Sequence, residues 1–113
     1  MRRDIRDIVR ELNAALGPTL VSTLAGAKDT TVSLQWAGGV GEQPGAEVMT
    51  RLTFAHEQWH RVADTEGEQV ARAWFIGANP WLGDDTPITA IREDRLKDVN
   101  NASQALIDDS FSG

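Results

Sequence analysis

Apolar residues return at steps of three and four along much of the chain. Ile5, Ile8, Val9, Leu12, Ala15 and Leu16 form the first stripe, the pattern of a helix with one buried face. Gly17-Pro18 ends it, and Pro18 suits the first turn of a second helix within "PTLVSTLAGA", closed by Gly26. "KDTTVSLQWAGG" predicts a third helix from about Thr31 to Ala37, with Asp29 or Thr30 as N-cap, Gly38-Gly39 as its stop and Trp36 in the core. After the turn-rich "GVGEQPGAEV", the residues Val48, Leu52, Ala55, Trp59 and Val62 mark a longer helix. "DTEGEQVARAWFIGANP" predicts another, from near Glu66 to before Asn79-Pro80, because the residue preceding a proline leaves the helical region. Gly83-Asp84-Asp85 then forms a turn, and Thr86 caps a short helix that has Pro87 in its first turn and reaches about Arg92. Leu96, Val99, Ser103, Leu106 and Ile107 share one side of a last helix, and "SFSG" reads as a mobile tail. No segment alternates as a strand does. The expected fold is all-α, with residues 1–64 and 65–113 as two halves of one compact unit.

A chain of 113 residues has the size of one domain with a single core. It lacks cysteine, which removes disulfides and thiolate metal ligands. No apolar run approaches the roughly 18 residues of a membrane span. "MRRDIRDIVREL" alternates charges where a signal peptide would turn purely apolar, so a cytoplasmic location is expected. Residues 1–60 carry six Lys or Arg against seven Asp or Glu, and residues 61–113 five against ten, so that −1 and −5 make up the net −6. An acidic second half disfavours nucleic-acid binding there.

His56-Glu57-Gln58-Trp59-His60 matches the H-E-x-x-H pattern of zinc peptidases. Histidines four apart sit one helical turn apart on one face, so both rings can reach one Zn²⁺, with the intervening Glu near a bound water. With two His and no Cys in the chain, a third ligand must be a carboxylate, and Glu66 and Glu68 are the nearest downstream. Over this helix and its neighbour the arrangement is similar to small zinc peptidases that cleave phage-type repressors. On a wheel of about 3.6 residues per turn, however, His56 and His60 lie roughly 80° and 120° from the middle of the apolar stripe. That position makes them a solvated flank, and no metal is expected.

The second and third helices flank a turn in a spacing compatible with a helix-turn-helix. Thr30, Thr31, Ser33 and Gln35 are then the candidate DNA-contacting residues, with Lys28 just before them. The candidate reading helix has no Lys or Arg, and the same pattern arises in any small helical bundle.

"VARAWFIGANPWLGDDTPITAIREDRLKDV" resembles the signature of the Xre/MbcA/ParS toxin-binding antitoxins. In these a helix ends in an aromatic-rich Asn-Pro turn, followed by a Leu-Gly turn, a Thr-Pro-capped short helix and a final helix. Trp74, Asn79, Pro80, Leu82, Gly83, Thr86 and Pro87 all fall in register. "LNAALGPTLVSTLAGAKDTTVSLQWAGG" occupies the place of that family's degenerate helix-turn-helix, so the likeness spans residues 12 to about 107. The resemblance implies a non-enzymatic, cofactor-free protein whose C-terminal half binds and neutralises a RES-type toxin that destroys NAD⁺. Many such antitoxins also repress their own operon, which adds operator DNA to the expected partners. The expected assembly is a homo-oligomer or a toxin-antitoxin hetero-oligomer, without a membrane partner. The candidate toxin contacts are Trp74, Phe75, Asn79, Pro80, Trp81 and Leu82, joined by Asp108, Asp109 and Phe111 near the C-terminus. Two departures stand out: the reading helix is poor in basic residues, and the tail is short and polar apart from Phe111. The alternatives are a stand-alone helix-turn-helix regulator, phage-derived or not, and a small zinc peptidase. Three aromatics within eight residues favour an interface, since aromatic side chains are preferred anchors; the plainer arrangement puts two of them in the core and one over a turn.

Overall fold

The computed structural model describes the backbone from Asp4 to Ser112 and the side chains as far as Asp109. Asp4 opens α1 (Ile5–Leu16) by accepting the Arg6 backbone N–H on its side chain. Gly17 ends α1 and starts α2 (Pro18–Leu24) with φ 92° and ψ 151°, a conformation that side chains other than glycine's rarely allow. α3 (Val32–Gly38) follows a bend in which the Asp29 carboxylate accepts from both the backbone N–H and the hydroxyl of Thr31. The long α4 (Ala46–Glu66) breaks at Gly67, which repeats the backbone geometry of Gly17 and leads into α5 (Glu68–Ile76). A 3₁₀ turn at Pro80–Leu82, α6 (Pro87–Arg92) and α7 (Leu96–Ser112) complete the order. Thr86 caps α6 by accepting from the Thr89 backbone N–H. No strand occurs among the described residues, so the chain is all-α.

α4 is the hub. It packs against α1, α5 and α7, and touches α2 and α6 as well. Val9, Leu12, Leu52, Val62, Phe75, Ile91 and Val99 meet in a single core drawn from both ends of the chain. The 64/65 division falls in the last turn of α4, and both halves share that core. α7 is fastened to α4 partly by polar groups: the buried Ser103 hydroxyl donates to Gln58 Oε1 at 2.6 Å, and Gln58 Nε2 donates to Asn100 Oδ1 at 3.1 Å.

α7 is helical through Ser112, beyond its last core contacts. One expectation needs correction here. His56 is buried, although the wheel places it on a solvated shoulder. The wheel assumes one buried face; α4 is covered on several flanks, and Gln58, on the other side of the stripe, is buried for the same reason.

No helix among the described residues is long and apolar enough to cross a membrane.

Candidate functional site

The segment after α5 is built to hold one aromatic ring in water. Asn79 is buried, and its side chain accepts the Trp81 backbone N–H at 2.9 Å. Its backbone N–H donates to Asp85 O, and its carbonyl accepts from Leu82 N and Asp84 N. From the start of α7, Arg95 donates to the Leu82 carbonyl at 3.0 Å and to the Asp85 carboxylate at 2.8 Å. Leu82 plugs into the core beneath. With both faces of the turn tied down, Trp81 projects outward with 64% of its surface exposed.

Around Trp81 the surface is mildly concave on two sides. One depression is walled by Trp74, Pro80, Ala102, Ala105 and Leu106, with Asp109 at its rim. The other runs along α7 past Asn101, Gln104 and Asp108. α7 forms the wall of both, and its alanines keep that wall low. Trp74 is half-buried, standing edge-on to Phe75 with ring centroids 5.2 Å apart at 88°.

The structure therefore sorts the expected contact residues. Trp74, Pro80, Trp81, Asp108 and Asp109 reach one continuous surface. Phe75 does not: it is fully buried against Trp59, and Leu82 is 1% exposed, so neither is available to a partner in the folded state. Asn79 borders the depression, yet its side-chain oxygen and both backbone groups are spent on the turn itself. The Phe111 side chain lies outside the described residues. Arg95 has no place in the sequence-based reading, and nothing in "REDRLKD" distinguishes it from its charged neighbours.

The DNA-reading residues are sorted as well. Lys28, Thr30, Thr31 and Gln35 are exposed. Ser33 is fully buried, its hydroxyl donating to the Pro18 carbonyl and its backbone N–H to Ser22 Oγ, so it faces α2 instead of a groove. Residues 25–31 separate α2 from α3, a longer link than the roughly three- or four-residue turn of a helix-turn-helix. Leu34 occupies the outer face of α3 at 55% exposure, where a reading helix would place polar groups.

The H-E-x-x-H motif divides between two flanks of α4. His56 and His60 face α1, where Glu11 joins them; Glu57 instead lines a shallow trough with Met49, Thr53 and Leu96. The carboxylate beside the histidines thus comes from α1, upstream. Glu68 lines the adjoining cleft without entering the cluster. Glu57 does not line the cleft that Glu11 and His60 share.

Compared with family models, with curated proteins and with solved structures, the chain matches none.

Proposed function

We propose that the protein is an antitoxin that binds and neutralises a RES-type, NAD⁺-degrading toxin in the cytoplasm, acting by docking and without catalysis of its own. One observation carries the reading: a tryptophan held 64% exposed on a turn that Asn79 and Arg95 make rigid. A large aromatic fixed in water is unfavourable for an isolated protein. It is favourable for binding, because its ordering cost is met before the partner arrives. The same turn carries the Asn-Pro and Leu-Gly elements of the antitoxin resemblance, so the motif and the exposed ring coincide. Asp108 and Asp109 add negative charge beside it, suited to the cationic groups of a pocket that takes a dinucleotide phosphate.

Operator binding through α2 and α3 receives less support, given the buried Ser33, the exposed Leu34 and an α3 without basic residues. It stays a secondary proposal, as does a stand-alone regulator.

The test is co-expression with a RES-type toxin, reading cellular NAD⁺ and growth. Wild-type chain should protect both. Trp81→Ala should lose protection while retaining its fold, with complex affinity reduced at least about 30-fold, as expected for an interface anchor worth about 2 kcal/mol. Full protection by both Trp81→Ala and Trp74→Ala would rule out this surface.

A further inference from the structure

We infer that Glu11, His56 and His60 form a Zn²⁺-binding site that fastens α1 to α4. The three residues each offer one ligand atom, and these atoms all lie within 4.8 Å of one another. His56 and His60 stand one turn apart on α4, their ring centroids 4.6 Å apart at 76°. Glu11 approaches from α1, with its Oε2 2.5 Å from His56 Nε2.

A tetrahedral zinc with bonds of about 2.0–2.2 Å keeps its ligand atoms roughly 3.3–3.6 Å apart. The Glu11–His56 contact must therefore open, and the wider separations close, each by about 1 Å. Side-chain rotation of Glu11 and His60 supplies this, since both stand at the edge of a cleft and are only half-buried. A hydrogen-bonded Glu11–His56 pair would be complete without His60. The second imidazole on the same side is what a metal requires and a simple pair does not.

The fourth position would face the cleft, between Ala14 and Ala15 of α1 and Gln69 of α5, where a water fits. Glu11, Glu68 and Arg72 line this cleft among the described residues. Imidazole and carboxylate ligands suit zinc among divalent ions. Glu57 lines the trough on the other flank and is no ligand of this site. Its consequence is mechanical: α1 and α4 meet at this point through side chains 45 residues apart, and a bound ion clamps them.

The experiment uses the full chain, stripped with chelator and titrated with Zn²⁺ by calorimetry, with Tm measured alongside. Wild type should bind one ion per chain, and Tm should rise by about 10 °C at a hundredfold excess over the dissociation constant. Co²⁺ should give the ligand-field bands of a four- or five-coordinate site. Glu11→Gln keeps the size of the side chain and a hydrogen-bonding group toward His56; it and His60→Ala should each weaken binding at least tenfold while the metal-free Tm stays near wild type. Glu57→Gln should bind as wild type does. Absence of one-to-one binding in the wild type, undiminished binding by His60→Ala and Glu11→Gln, or an equal loss in Glu57→Gln would each overturn the assignment.

Discussion

Arg51 and Asp94 form a two-pronged pair, Arg51 Nε to Asp94 Oδ1 at 2.8 Å and Nη2 to Oδ2 at 2.9 Å, that bridges α4 to the corner between α6 and α7. The remaining arm of the guanidinium, Nη1, donates to the Ala25 carbonyl at the end of α2 at 2.9 Å. One side chain thus satisfies the C-terminus of a helix and a corner where Asp94 holds a φ of 62°. The Arg51 side chain is only 14% exposed, so its hydrogen bonds are shielded from water more than those of a surface pair.

Arg51→Ala should lower stability by about 1–2 kcal/mol, the scale of losing a hydrogen bond from a charged donor together with the packing of its stem. For a domain of this size that lowers Tm by roughly 5–10 °C, readable by circular dichroism.

Acid should act through the same contact. The hydrogen bond from Arg51 holds the Asp94 carboxyl below its ordinary value of 3.8, outweighing the opposing effect of burial. A carboxyl lowered in the folded state stabilises fully above its unfolded pKa, and that contribution is lost as pH falls through the lower, folded value. The stability gap between wild type and Asp94→Asn should therefore be constant near neutrality and shrink as pH falls below about 4. Asparagine tolerates positive φ as aspartate does, so this variant isolates the charge. Asp4 and Asp29 are lowered as well, by Arg6 and Thr31 respectively, so Asp94→Asn removes only part of the acid sensitivity. A gap that persists unchanged in acid would contradict the pairing.

Phe75 and Trp81 should behave oppositely. Phe75→Ala empties a fully buried site between Trp59 and Trp74 and should cost about 3–5 kcal/mol. Trp81→Ala leaves the turn's hydrogen bonds in place, since they use the backbone at that position, and should shift stability by less than about 0.5 kcal/mol. Urea denaturation of the two variants distinguishes core from surface; a large loss from Trp81→Ala would mean that the ring supports the fold.

Ser103→Ala should destabilise by about 1–3 kcal/mol, because it leaves the buried Gln58 Oε1 without the hydroxyl that donates to it. The companion Gln58→Leu, Ser103→Ala double variant removes both polar groups and should recover part of the loss. A double variant no better than the sum of the singles would show that the two groups act independently.

DNA binding, if α2 and α3 support it, should be weak and steep in salt, with Lys28→Ala lowering the log-log slope by about one. Ser33→Ala should affect stability instead, since the hydroxyl faces the Pro18 carbonyl. Electrophoretic shift across a salt series separates the two effects.

Helix positions and their punctuation were readable from the chain alone, because capping and breaking are local. Gly17, Gly39, Asn79-Pro80 and Thr86-Pro87 act within a turn or so of their own backbone, and each does what its residue type and neighbours require. The Asn-Pro, Leu-Gly and Thr-Pro turns were readable in the same way; which of Trp74, Phe75 and Trp81 stays in water was not. What lay beyond the sequence is everything that depends on how many sides of a helix are covered. Periodicity describes a helix with one broad wet face, and α4, flanked by α1, α5 and α7, keeps a narrower one along Thr50, Thr53, Glu57 and Asp64. Burial of His56 and Gln58, the removal of Phe75 from the docking surface and the turning of Ser33 toward α2 all follow from that enclosure or from close packing like it. Partners distant in sequence were equally out of reach: Glu11 meets His56 across 45 residues and Arg51 meets Asp94 across 43. No local spacing encodes such pairs, because their encounter is decided by the angle at which helices pack, and that angle is settled by the core as a whole.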